Sequence, residues 1–251
     1  ADAAGYVDMA DAFLSGNWPV FFDYYIFRTP IYPIFISLTK FIFKDFFVYA
    51  LPWIQHILGV LMAVVVYLIG KRVFNKYVGF FAGLLTAANS YQVYWEHNAM
   101  ADFLFTFVTV VTFFYFLKAL TGIKDRDYVV FGILFGIGIL TRSVFLLFVV
   151  AVPIIIYYFT GDIRQTIKKM ALLTIPIAII VGPWIYHHLY RHQYLGITPF
   201  VGVQLMVRAQ NYMDLDSSLR AKEKRAYLEA MREVDSTCNE ETMASGTCGQ
   251  A

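Results

Sequence analysis

Tyr91-Gln92-Val93-Tyr94-Trp95-Glu96-His97-Asn98-Ala99-Met100-Ala101-Asp102 sets two carboxylates between two long apolar runs. A carboxylate at a membrane boundary is costly unless it has a partner or a task. Tyr91, Tyr94 and Trp95 form an aromatic belt of the kind that marks a membrane–water boundary. Asn98 is expected to cap the helix that follows. Asp102 then falls in the first turn, where the positive end of the helix dipole favours an anion. That electrostatic role is the simpler account of Asp102, and a chemical role is the other.

Outward from this turn, the composition excludes a soluble domain. Of 251 residues, 59% are hydrophobic, 18% aromatic and 15% charged, where soluble domains carry about a quarter charged. The pattern predicts an all-α, polytopic transmembrane bundle with the lipid bilayer as its solvent. A net charge of +2 carries no nucleic-acid signature. The chain opens without Met in an acidic segment, so an upstream segment is expected. Cys238 and Cys248 stand ten apart in a polar tail. They form a disulfide if the tail faces an oxidising compartment, and are two thiols otherwise.

Three regions follow in order. Residues 1–45 are read as an outer loop: Tyr6, Met9, Ala10, Phe13 and Leu14 give a helical stripe that Gly16 and Asn17 end, a surface helix. Ile31 to Phe43, 13 residues, falls short of a bilayer core of roughly 30 Å and is read as interfacial or re-entrant. Residues 46–190 are read as six spans, starting with Phe46 to Gly70, 25 residues without a charged side chain, in which Pro52 is tolerated. Tyr77 to Trp95 returns, with Gly79, Gly83 and Ala87 spaced for close helix packing. Phe103 to Leu117, Tyr128 to Thr141, Ser143 to Gly161 and Met170 to Tyr190 complete the set. Gly132, Gly136 and Gly138 lack the order of a nucleotide loop and are read as a helix contact. Residues 191–251 form an outer polar tail, with a surface helix over 217–234.

Basic residues orient the bundle. Lys71, Arg72, Lys76, Lys118, Lys124, Arg126, Arg164, Lys168 and Lys169 fall in one set of turns, and Arg142 alone in the other. The positive-inside rule places the first set in the cytoplasm. The first loop, the Glu96–Asp102 turn, Arg142 and the tail then share the outer face. An arginine at that boundary with no carboxylate near in sequence calls for an anion.

Carboxylates, arginines and histidines on one outer face suit chemistry on a lipid-linked anionic donor: carboxylates take protons and cations hold phosphate. Asp2, Tyr6 and Ala10 form Asp-x-x-x-Tyr-x-x-x-Ala, and Arg28, Pro30, Tyr32 and Pro33 form Arg-x-Pro-x-Tyr-Pro. Gly70-Lys71-Arg72-Val73-Phe74, the Glu96–Asp102 loop, Leu140-Thr141-Arg142 and Pro183-Trp184 follow in order. In this order the chain resembles the C-type glycosyltransferases that use polyprenyl-phosphate sugars, in particular the protein O-mannosyltransferase and aminoarabinose-transferase branch. Asp2-Ala3 stands where that family commonly has an acidic pair, and His187-His188 where Arg-Asn is frequent.

The resemblance implies an inverting transferase acting on the non-cytoplasmic face. Its donor would be a sugar on a polyprenyl phosphate and its acceptor a hydroxyl or amine. Asp2, Asp102 and Glu96 would be the catalytic carboxylates. Arg142, Arg28, His187 and His188 would hold donor phosphate, with Tyr6 and Tyr32 positioning substrate. No cofactor is implied; Glu96, His97, His187 and His188 could bind a divalent metal but lack ligand spacing. His56 is read as a packed polar residue. The alternative is a non-catalytic membrane subunit of the same fold that binds a lipid or a partner. A transporter is disfavoured because the spans show no buried ion pair in sequence. The setting expected is integral and multi-pass, in a bacterial or archaeal cell membrane ahead of the endoplasmic reticulum.

Overall fold

A computed structural model of the chain describes residues 2–24, 28–122 and 124–198, without the side chains of Asp2, Asp23 and Tyr24. The 217–234 helix and the Cys238–Cys248 pair lie outside the described residues. Helix α1 (Asp2–Ser15) ends where Gly16 takes a positive φ of 72° and is followed by a π-helical turn, Val20–Tyr24. Then come α2 (Ile31–Phe43), α3 (Phe47–Val73), α4 (Lys76–Ala87), α5 (Ser90–Glu96), α6 (Ala101–Thr121), α7 (Asp125–Thr141), α8 (Phe148–Thr160) and α9 (Ile163–His192). No strand occurs among the described residues. The protein is an all-helical, polytopic bundle.

The segments Ile31–Val73, Ala101–Thr121, Ser143–Thr160 and Ile163–His192 are long and apolar enough to cross a membrane. Phe41, Trp53, Leu85, Val150 and Ile179 point outward and exposed, a surface that lipid solvates and water does not. The Ile31–Val73 segment is not one straight rod. Lys44 adopts a φ of 48° and a 3-10 turn covers Lys44–Phe46, so α2 folds back and Tyr32 reaches Gln55 on α3. The apolar run from Tyr77 to Trp95 breaks at Ala88, where Asn89 accepts from the Tyr91 N–H and starts α5.

Small residues let the helices meet. A Cβ on Gly79 would stand 2.5 Å from the Tyr67 carbonyl oxygen, and one on Gly83 2.9 Å from that of Ala63. Gly132 is pressed against the Leu173 backbone and Gly136 against Ile180, so α7 lies directly on α9. Gly132 and Gly136 are therefore a helix contact, as expected from the sequence, whereas Gly138 faces the Phe145 ring in the turn after α7. Pro52 sits inside α3 without ending it.

Sequence expectations about caps, loops and ion pairs need correction. Asn98 does not cap the helix of Asp102: Met100 holds the N-cap position without a side-chain bond, and Asn98 Nδ2 donates to the Tyr94 carbonyl 2.7 Å away. Its amide closes the preceding helix by adding a second donor to that carbonyl, which also accepts from the His97 N–H at 3.3 Å. Arg164, Lys168 and Lys169 are not in a loop but in the first turns of α9, which Asp162 caps through the Arg164 N–H at 2.8 Å. Charged groups also pair within the bundle: the buried Asp127 carboxylate meets Lys118 Nζ at 3.2 Å, and the buried Glu96 meets His56.

Candidate active site

The site forms where α1, α2, α6 and α7 meet at one end of the bundle. Alternation of direction puts the N-terminus of α6 and the C-terminus of α7 together there, so Asp102 and Arg142 become neighbours although forty positions apart. Arg142 Nη1 donates to Asp102 Oδ1. This corrects the expectation of an arginine without a carboxylate: the loop fold supplies one that sequence distance conceals.

The first loop brings the second arginine. Thr29 Oγ1 donates to the Thr141 carbonyl at 2.7 Å, a buried bond that ties the Arg-x-Pro-x-Tyr-Pro segment to Leu140-Thr141-Arg142. Arg28 lies over the Tyr6 ring with Cζ 4.3 Å from the centroid, and a Cβ on Gly5 would stand 2.9 Å from its Nε and Nη2. Tyr6 packs edge-on against Tyr32 at 5.1 Å. Burial pushes the Tyr6 phenol above its ordinary value, and Arg28 and Arg142 partly offset that rise while Asp102 adds to it. Tyr6 therefore stays a neutral hydroxyl, able to donate to an anion. Tyr6, Arg28, Asp102 and Arg142 form one electrostatic group.

Tyr32 leads to a second layer. Its hydroxyl donates to Gln55 Oε1 at 3.4 Å. The fully buried Gln55 amide donates to the carbonyls of Glu96 at 2.7 Å and Asn98 at 3.3 Å. Gln55 thus holds the turn that leads into Asp102 against the long helix α3. Glu96 turns its carboxylate toward α3, where it pairs with His56 Nδ1 and accepts from Gln92 Nε2 at 2.8 Å. Gly59 leaves it room, since a Cβ there would meet the carboxylate carbon at 2.9 Å. His97 packs edge-on against His56 at 4.7 Å. The signal in the sequence was Gln55-His56, two polar residues inside an otherwise apolar run.

His187 and His188 sit on the last turns of α9. The His187 ring lies 4.8 Å from Phe22, and the buried His188 ring 4.9 Å from Trp184. Trp184 Nε1 donates to the Ile197 carbonyl at 2.9 Å, so Pro183-Trp184 anchors the chain after α9. Asp2 opens α1 one helical turn before Tyr6. Among the described residues no group of three or more His, Cys, Asp or Glu side chains is placed to hold a metal ion.

A family model described as dolichyl-phosphate-mannose-protein mannosyltransferase matches residues 28–187. The match runs from Arg28 to His187 and so takes in Tyr32, Glu96, Asp102 and Arg142, leaving Asp2 and Tyr6 outside it. No curated protein and no solved structure matches the chain.

Proposed function

The chain belongs to the dolichyl-phosphate-mannose-protein mannosyltransferase family of C-type membrane glycosyltransferases, and from that premise we propose an inverting transfer of a sugar from a polyprenyl-phosphate donor. The acceptor is a hydroxyl or amine on the non-cytoplasmic face. The observation that carries the reading is the meeting of Arg28, Arg142, Asp102 and Tyr6 at one end of the bundle. Two guanidiniums and a neutral phenol suit a phosphate ester, because guanidinium offers a planar fork and phenol a further donor.

In the resting site Asp102 occupies Arg142. Donor phosphate takes its place on the guanidinium, and the released carboxylate then lies beside the bound sugar phosphate. The acceptor oxygen or nitrogen attacks the anomeric carbon from the face opposite phosphate. The anomeric C–O bond breaks, its electron pair leaves with the polyprenyl phosphate, and the acceptor proton passes to a carboxylate. Phosphate needs little acid help to leave, whereas a hydroxyl acceptor needs a base. We assign that base to Asp2, one turn from Tyr6 on α1. An apolar cavity of about 380 Å³ between α7, α8 and α9, lined by residues such as Phe135, Val152 and Leu173, suits the isoprenoid chain.

The test uses the purified full chain in lipid nanodiscs with a polyprenyl-phosphate mannose probe. Asp2→Asn is near-isosteric and uncharged, so turnover should fall by about 10² to 10⁴ with the donor KM nearly unchanged. Near-wild-type turnover would move the base to Asp102, since the Glu96 carboxylate is buried against α3. Transfer from a soluble nucleotide sugar with no lipid carrier present would overturn the donor assignment.

A further inference from the structure

At the end of the bundle remote from Asp102 and Arg142, a second polar cleft opens between the α6–α7 connection and the first turns of α9. It is separated from the first site by the length of α6, 21 residues, or roughly 30 Å at helical rise. Gly122, Asp125, Tyr128, Gln165, Lys168 and Lys169 line a cavity of about 360 Å³, within the range of about 300 to 1,000 Å³ in which small ligands bind.

The group that singles out this cleft is Tyr128. Its residue is 2% exposed, and its buried hydroxyl has no hydrogen-bond partner. A buried hydroxyl left unsatisfied is expensive, so such a group in a polar cavity calls for a ligand or water that accepts from it. The charges around it are arranged unevenly. Lys168 Nζ is held by Asp125 Oδ2 at 2.6 Å, and Lys118 Nζ by Asp127 Oδ1 at 3.2 Å. The Lys169 ammonium instead faces the Tyr128 ring at 5.3 Å from its centroid and, among the described residues, meets no carboxylate. Tyr128, Lys169 and Gln165, three residues that carry different kinds of donor, line the same small cavity.

We propose that this cleft is a binding site for a phosphate ester, separate from the transferase site and independent of the reaction assigned there. One phosphate oxygen accepts from Tyr128 Oη and another from Lys169 Nζ, with Gln165 completing the cradle. Asp125 also lines the cleft, with Lys168 Nζ 2.6 Å from its carboxylate as a counter-charge. Both rims are ends of helices long or apolar enough to reach the bilayer surface, so a phospholipid headgroup can enter from the side; free phosphate would enter from water.

The experiment titrates the purified full chain in detergent with short-chain phosphatidylglycerol, read by native mass spectrometry, and separately with inorganic phosphate, read by calorimetry. Tyr128→Phe removes only the hydroxyl and should weaken binding by roughly 2- to 12-fold. Lys169→Gln should weaken it by about 10-fold or more, as for a lost charged hydrogen bond. Lipid binding that both variants reduce supports a headgroup site, and phosphate binding that both reduce supports the same site fed from water. No binding of either probe, or wild-type affinity in both variants, means that the cleft holds water only and overturns the proposal. Tyr128→Phe keeps the packed ring, and a melting curve on each variant separates lost binding from lost folding.

Discussion

Arg142 and Asp102 hold one another at the mouth of the bundle, so donor phosphate entering there has to displace a carboxylate from a guanidinium. Under the proposed exchange, Arg142→Ala should raise the apparent donor KM by roughly 10- to 150-fold, the worth of a charged hydrogen bond. Arg142→Lys should raise it less, because charge is kept and the fork lost. Asp102→Asn removes the competitor and should lower the donor KM in the same steady-state titration. If all three leave the donor KM unchanged, the pair is structural. Glu96 belongs to a different local economy: its carboxylate is buried and engaged by His56 and Gln92. Glu96→Ala leaves a void and takes the acceptor from His56 and Gln92, both half-buried, so a loss of about 1 to 3 kcal/mol is expected. Thermal unfolding in detergent measures it, and a melting point equal to wild type would refute that role.

Among the elements, the contact between α7 and α9 depends on having no side chain at Gly132, where an added Cβ would stand 2.9 Å from the Leu173 Cα. Gly132→Ala should therefore destabilise by about 1 to 3 kcal/mol, the usual cost of overpacking. Gly182, inside α9, has no atom beyond its chain neighbours within 4 Å of an added Cβ, so Gly182→Ala meets only the restriction that Pro183 places on the residue before it and should lower the melting point less than Gly132→Ala. Equal effects of the two substitutions would remove close packing as the explanation. Gln55 does comparable work for the acidic turn, since its amide binds the Glu96 and Asn98 carbonyls while its oxygen accepts from Tyr32. Gln55→Leu keeps the volume and takes the amide donor from the buried Glu96 carbonyl and the acceptor from the Tyr32 hydroxyl, while the Asn98 carbonyl keeps the Met100 N–H at 2.8 Å. A loss of about 1 to 3 kcal/mol is expected, with faster hydrogen exchange confined to residues 96–100 as its local mark.

For the whole molecule, the proposed orientation puts the Tyr6, Arg28, Asp102 and Arg142 group outside and the Tyr128 cleft inside. With Cys238 and Cys248 replaced by Ser, a cysteine at Tyr91 in intact cells should react with an impermeant thiol reagent and one at Lys124 should not. The reverse pattern would invert the arrangement. The helical, polytopic character and the family were legible in the chain because both are carried locally. Apolar run length reports the bilayer directly, and Arg28-x-Pro30-x-Tyr32-Pro33 and Leu140-Thr141-Arg142 are short contiguous motifs. The glycine spacing of α4 and α7 was equally local, because helical periodicity converts sequence interval into a face. What only the tertiary structure decided were the partnerships: Arg142 with Asp102, Glu96 with His56, Thr29 with Thr141, Gln55 with the acidic turn. Each joins residues from different helices or from the turns between them, forty or more positions apart in these four pairs. Spacing along one helix says nothing about which ends of which helices are packed together.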